Sequence, residues 1–136
     1  MIHHLSLPVS DLERSAAFYD SVLLPLGYAQ VWIHEVDSGY VEAAVGYGLP
    51  ESEDEFAVRL RTEDLDVPGD GFHIAFGAPS REAVDEFYQA AIKTGGQDNG
   101  GCGNHPEYGP DYYAAFVFDP DGYRIEAVLD AERATH

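Results

Sequence analysis

Two histidines and one glutamate, far apart in the chain, carry the strongest chemical signal. His4 opens the alternating run His4-Leu5-Ser6-Leu7-Pro8-Val9, and His73 opens a second, His73-Ile74-Ala75-Phe76-Gly77. At the strand period of two, Leu5, Leu7 and Val9 share one face and leave His4, Ser6 and Pro8 on the other. Ile74 and Phe76 likewise leave His73 and Ala75 opposite them. In the last apolar run, Ile125, Ala127 and Leu129 form a core face, with Arg124, Glu126 and Val128 behind it. A carboxylate between apolar neighbours is costly unless it is paired or coordinated. Two imidazoles and a carboxylate from three strands make a divalent-metal set with positions left for substrate or oxygen. Singly, each has an ordinary explanation: His4 as an N-terminal side chain, Glu126 as the partner of an arginine such as Arg59.

An internal repeat joins them. At an offset of 69 positions His4 meets His73, Glu13 meets Glu82, Phe18 meets Phe87, Tyr19 meets Tyr88 and Gly27 meets Gly96. Each half runs strand, helix, glycine in the same order. Ser10 or Asp11 caps the first helix, whose apolar positions are Leu12, Ala16, Tyr19 and Leu23. Ser80 after Pro79 caps the second, with Val84, Phe87, Ala91 and Ile92 as its stripe. Gly27 and Gly95-Gly96 end them. In the first half, strands are expected at 29–36, 40–45 and 56–61, with Asp37-Ser38-Gly39 as a turn. In the second, 100–111 is a glycine- and proline-rich stretch without periodicity. Strands follow at 113–118 and 123–129, joined by the turn Asp119-Pro120-Asp121-Gly122. The halves are read as 1–66 and 67–130, with 131–136 a frayed tail.

Composition narrows the function. The 136 residues suit one compact domain or two tightly joined halves, and nine Tyr with seven Phe can fill a core. Seven basic residues against 25 acidic ones give a net charge of -18, which repels nucleic-acid backbones. The acidity serves solubility or an acidic cleft for a cation. No apolar run is long enough to span a membrane. The N-terminus has no secretory pattern and Cys102 has no internal disulfide partner, as expected in the cytoplasm. Glycine-flanked Cys102 shows no adjacent base, so no nucleophile is assigned. The glycines at 95, 96, 100, 101 and 103 lack the lysine of a phosphate loop.

These motifs together resemble the vicinal oxygen chelate superfamily, the glyoxalase/bleomycin resistance/extradiol dioxygenase group. The resemblance runs from His3-His4-Leu5-Ser6-Leu7-Pro8-Val9-Ser10-Asp11-Leu12-Glu13-Arg14-Ser15 through Phe18-Tyr19. It resumes at Phe72-His73-Ile74-Ala75-Phe76 and ends at Phe118-Asp119-Pro120-Asp121-Gly122-Tyr123-Arg124-Ile125-Glu126. It implies an α+β fold of two βαβββ modules whose mixed sheets curve into a cleft, and a homodimer. It also implies a divalent ion (Zn, Ni, Mn, Fe or Co) on His4, His73 and Glu126. Glyoxalase I-like members add a Glu or Gln from the last strand of module one. Here that strand offers Glu55, Ala57, Arg59 and Arg61 to the cleft. The repeat offset lands on Ala57, so the four-ligand pattern is broken unless Glu55 serves as ligand or general base; Glu42 is a weaker choice. Arg59, His34, His105 and Tyr113 are candidate substrate contacts; Tyr112 and Tyr113 begin a strand and face opposite ways, so one lines the cleft and the other packs in the core. The function implied is a glyoxalase-like lyase or isomerase acting on a small substrate chelated through neighbouring oxygens. The alternatives are a metal-free bleomycin-resistance-like protein that sequesters a cationic ligand, and an Fe(II) extradiol-type dioxygenase. Whether the cleft closes within one chain or across two is left open by the sequence.

Overall fold

The computed structural model describes residues 1–36, 43–61 and 63–134. The first sheet has the order β1-β4-β3-β2, with β1 Leu5–Val9, β2 Ala29–His34, β3 Ala44–Gly48 and β4 Phe56–Leu60. The second has the order β5-β8-β7-β6, with β5 Ile74–Ala78, β6 Gln97–Asn104, β7 Tyr113–Phe118 and β8 Arg124–Leu129. Helix α1 (Leu12–Leu23), followed by a 3-10 turn at Leu24–Leu26, covers the first sheet; α2 (Arg81–Lys93) covers the second. A short helix α3 takes up Ala131–Ala134 of the stretch read as a tail. Both sheets are mixed, because β1 runs parallel to β4 and β5 parallel to β8 while the remaining pairs are antiparallel. This is the expected α+β pair of βαβββ modules. No helix is long and apolar enough to cross a membrane among the described residues.

The repeat is visible in the hydrogen-bond register. Ser6 pairs with Ala57 in the first sheet, and Ala75 pairs with Glu126 in the second, each partner displaced by the same 69 positions. Beyond these, Ala57 pairs with Gly46 and Gly46 with Trp32, whereas Glu126 pairs with Phe116 and Phe116 with Gly101. Paired residues point to the same side of a sheet, so these two rows mark equivalent positions on the faces away from the helices.

Helix ends follow their capping chemistry. Of the two candidates, Asp11 caps α1, its Oδ1 accepting from Arg14 N at 3.0 Å; Ser80 caps α2 through Ala83 N at 3.1 Å. Gly27 closes the 3-10 turn at φ 91°. The α2 stripe buries Ala83, Val84, Phe87 and Ala91 but leaves Ile92 exposed. Two strands depart from expectation. The expected turn Asp37-Ser38-Gly39 and residues 40–42 of the strand read at 40–45 lie outside the described residues; the described strand β3 runs Ala44–Gly48, three residues beyond the expected end, where Gly46 and Gly48 disguise the alternation. The stretch read from residue 100 as aperiodic starts as β6, whose glycines hide a strand that backbone pairing with β7 holds, with a bulge between Asp98 and Gly101.

The helix-facing sides of both sheets merge into one core, where Phe18, Tyr19, Val22 and Leu26 meet Phe87, Ala91, Tyr123 and Ile125. Each such large side chain fully buried stabilises by about 1.5–3 kcal/mol. The seam is also hydrogen-bonded. Buried Asp119 accepts from Tyr19 Oη at 2.6 Å and from the backbone N–H groups of Asp121 and Tyr123 at 2.9 Å each. Asp121 in turn receives Ser10 Oγ and Arg14 Nη2, the latter at 2.9 Å. Tyr123 Oη donates to Pro8 O at 2.6 Å. The second module's turn thus clamps the start of α1.

Candidate functional site

Glu126 owes its position to the alternation of β8: Ile125 and Ala127 go into the core, so the carboxylate goes to the opposite face. It is nevertheless only 1% exposed. Its Oε2 accepts from Tyr112 Oη at 2.5 Å, and its Oε1 lies 3.2 Å from His73 Nε2, on a ring whose side chain is 55% exposed. Burial, and then the bond to Glu126, push the Tyr112 hydroxyl up to about 12. The phenol is therefore a firm donor at neutral pH, and both carboxylate oxygens have a partner.

The cover over this pair is the chain between β6 and β7. His105 N donates to Tyr112 O at 2.8 Å and Tyr108 N to His105 O at 3.0 Å, folding the segment back on the sheet. The His105 ring stands edge-on to Phe116 at 4.8 Å, and Tyr108 lies 5.3 Å from the Tyr112 ring. His105 Nδ1 sits 2.9 Å from Glu107 Oε1. A backbone hydrogen bond, and then His105, hold the Glu107 carboxyl below its ordinary range. Between cover and sheet is an open cavity of about 530 Å³ lined by His73, Asn99, His105, Tyr108, Phe116 and Arg124, among others.

The first module presents a different wall. His4 Nδ1 lies 2.8 Å from His3 Nδ1, and His3 Nε2 lies 3.0 Å from Glu53. Glu55 is exposed just ahead of β4, its carbonyl accepting from Leu5 N. Its register counterpart in the second sheet is Arg124, one residue ahead of Ile125 as Glu55 is ahead of Phe56. Arg59 does not reach Glu126: its guanidinium lies over Trp32, 5.6 Å from the ring centroid, with Nε 3.5 Å from Ser6 Oγ. His34 stacks on Trp32 at 4.2 Å. Glu42 lies outside the described residues.

The structure therefore brings His73 and Glu126 together and leaves His4 on the other sheet. Among the described residues of one chain, no three His, Cys, Asp or Glu side chains are grouped to hold a metal ion. Tyr113 needs correcting as a cleft contact. β7 turns it toward α2, where Oη donates to Asp85 at 2.5 Å and Arg81 lies over the ring. Its neighbour Tyr112, one residue out of phase, faces the cleft. Cys102 Sγ bonds Asp85, and burial with that bond pushes the thiol up to about 11.

Comparison with known proteins now fixes the family. Residues 1–127 match the model of the Glyoxalase/Bleomycin resistance protein/Dioxygenase superfamily. The chain belongs to this superfamily. Relatives in it include the lactoylglutathione lyase of Salmonella typhimurium, 36% identical over 130 residues that cover 92% of this chain and 89% of that one. The lactoylglutathione lyase of Haemophilus influenzae is 35% identical over 133 residues, covering 93% and 90%. Among solved structures, a glyoxalase/bleomycin resistance protein from Albidiferax ferrireducens superposes with a TM-score of 0.76 at 28% identity, covering 93% of this chain and 97% of that one. Within the superfamily fold, the donor chemistry of His73 and Glu126 suits a divalent ion: one imidazole nitrogen at the cavity wall and one buried carboxylate oxygen 3.2 Å behind it, with Tyr112 bonding the other oxygen. The equivalent position of the first module holds Ala57, which has no donor.

Reading the sequence did not single out Trp32, Tyr108, Phe116 or the cleft role of Tyr112. For Tyr112 the signal was present, since Tyr112 and Tyr113 must face opposite ways. For Trp32 and Phe116 it lay only in the cross-strand register.

Proposed function

We propose that this protein is a divalent-metal-dependent, glyoxalase-like lyase or isomerase acting on a small substrate with neighbouring oxygens. The observation that carries this reading is the buried Glu126, bonded by Tyr112 and 3.2 Å from His73, whose ring lines the cavity. His73 and Glu126 hold Zn, Ni, Mn, Fe or Co, with His4 as the third ligand. Because His4 sits on the other sheet, the reading needs a second copy to bring it in, which makes the functional unit a homodimer with its cleft between chains. A bound divalent ion supplies Lewis acidity toward the substrate's paired oxygens. The chain's own residues do the rest. Tyr112 fixes the carboxylate, the 105–112 segment covers one side of the cavity, and His105 and Arg124 contact the substrate. Glu55 is the candidate general base. The modules are 1–66 and 67–130, and the setting is the cytoplasm.

Ala57 departs from a four-ligand centre, and with the charge of -18 it favours a second reading: a metal-free protein that binds a cationic ligand. Metal content of protein purified without chelator separates the two. Stoichiometric metal that is lost in His73→Ala and in His4→Ala, with a dimer by sedimentation, supports the enzyme. Protein that is metal-free when purified and when supplied with each ion, yet binds a cationic aromatic compound tightly, supports the carrier. Lactoylglutathione formation is the first activity to assay, given the names of the relatives.

A further inference from the structure

The chain has two asparagines, Asn99 and Asn104, both on β6, and the structure sets them in opposite circumstances. Asn104 pairs with Tyr113 in β7, and the amide that follows it, His105 N, donates to Tyr112 O at 2.8 Å. Asn99 and Gly100 are the extra residues of the bulge. Asp98 pairs with Val117 and Gly101 with Phe116, adjacent residues of β7, so the two between them have no register partner there. Asp98 ties the bulge at its ends, its Oδ1 accepting from Gly101 N at 2.7 Å and from Tyr88 Oη at 3.0 Å. Gly100 sits at φ 132°, a conformation open to glycine and strained for other residues. The Asn99 side chain is half-buried in the wall of the cavity that His73 also lines, and it has no hydrogen-bond partner among the described residues.

We infer that Asn99-Gly100 is a modification site, at which the folded chain converts its own asparagine to aspartate and isoaspartate. The Gly100 amide nitrogen gives its proton to water or hydroxide and attacks Asn99 Cγ. The new N–Cγ bond closes a succinimide ring while the Cγ–Nδ2 bond breaks and Nδ2 leaves as ammonia. Water then opens the ring. Cleavage of the new N–Cγ bond gives aspartate on an intact backbone; cleavage of the original peptide bond leaves the chain running through Cγ, as isoaspartate. Water is consumed, ammonia is released, and nothing is oxidised or reduced. Ring closure requires the amide nitrogen to turn back on its own side chain, a motion that a residue without Cβ or ladder partner permits. At Asn104 the attacking nitrogen would be His105 N, which Tyr112 O holds, so the same step is opposed. Each conversion adds a negative charge to a lining that also contains His73, His105 and Arg124, so an older molecule offers its ligand a more acidic wall than a new one.

The test incubates the full-length protein with chelator, folded in buffer and unfolded in urea, and follows both asparagines over time by peptide mass spectrometry, with enzymatic methylation to detect isoaspartate. In the folded chain Asn99 should convert at least about tenfold faster than Asn104, and faster in alkaline than in mildly acidic buffer. Its folded rate should stay within about tenfold of its unfolded rate, because the bulge leaves the backbone the freedom that ring closure needs. Asn99→Gln should abolish conversion at this position, and Gly100→Ala should slow it by about tenfold or more. Gly100→Ala also carries backbone strain; should it fail to fold, the folded and unfolded rates of the wild-type chain still decide the matter. An Asn99 that stays intact in the folded chain over the time in which the unfolded chain converts it overturns the inference, as does conversion of Asn104 at the same rate. Neither result bears on whether His73 and Glu126 hold a metal, and failure of the metal reading leaves these rates untouched.

Discussion

Replacing Tyr112 by Phe removes one oxygen and keeps the ring that packs 5.3 Å from Tyr108. The effect must therefore come from Oη, which donates to Glu126 Oε2 at 2.5 Å. A hydrogen bond to a charged acceptor contributes about 1.5–3 kcal/mol, and Glu126 at 1% exposure has little water to replace it. Tyr112→Phe should thus lower unfolding free energy by about 1.5–3 kcal/mol in urea titrations with chelator present, shifting the midpoint with the slope unchanged. The double-mutant cycle with Glu126→Gln, which keeps an acceptor for Oη but removes the charge, measures the charge-assisted part of the pair and should give a coupling of about 1 kcal/mol or more. The sign with pH also follows. The folded-state hydroxyl sits at about 12, above its ordinary 10.0, so its stabilising share is fully present below pH 10. That share is lost as pH rises through about 12, and the gap between wild type and Tyr112→Phe should close over the same interval. In the metal-loaded protein, loss of an orienting partner behind a ligand should weaken metal affinity about 10–100-fold. Two single variants whose effects add to within about 0.3–0.5 kcal/mol would refute the reasoning.

Gly46→Ala should eject the indole, because the new methyl would lie 2.2–2.7 Å from three ring atoms. The expected readout is a red-shifted tryptophan emission with about 1–2.5 kcal/mol lost from partial unpacking, and an unchanged spectrum would contradict it. Ala57→Glu puts a carboxylate at the fully buried counterpart of Glu126. In chelator it should cost several kcal/mol, and added divalent ion should raise the melting temperature more than in wild type. Asp119→Ala strands the donors of Tyr19, Asp121 and Tyr123, for about 3–5 kcal/mol in a denaturant titration. Burial raises the Asp119 carboxyl despite those bonds, so its ionisation opposes folding. Wild-type stability relative to Asp119→Asn should accordingly fall as pH rises from the ordinary aspartate range through the raised value.

The elements legible in the sequence were those whose side chains alternate or recur. Leu5, Leu7 and Val9 marked β1, Ile125 and Ala127 marked β8, and the serine and aspartate caps marked the helices. β3 and β6 were misplaced or missed because glycine carries no side chain to show a period; at Gly46 the missing side chain is what admits Trp32. The pairing of His73 with Glu126 was legible because Glu126 lies on β8 and His73 immediately precedes β5, two strands whose phase is plain. The choice between Tyr112 and Tyr113 was not, since it turns on the phase of β7. What no pattern in one strand can show is a row across four strands, and the contrast between the modules resides there.

The clamp of Asp119 and Asp121 onto Tyr19, Ser10 and Arg14 bears on how a ligand enters. Swinging one half away from the other would break several charged and buried bonds at once and split a shared apolar interior. The halves therefore behave as a fixed frame, like a vise without a screw. Among the described residues, admission and release fall to the cover at 105–112, held by its own backbone turns and by the rings of His105, Tyr108 and Tyr112, so for the proposed enzyme the rate of ligand exchange would be set by a strip eight residues long.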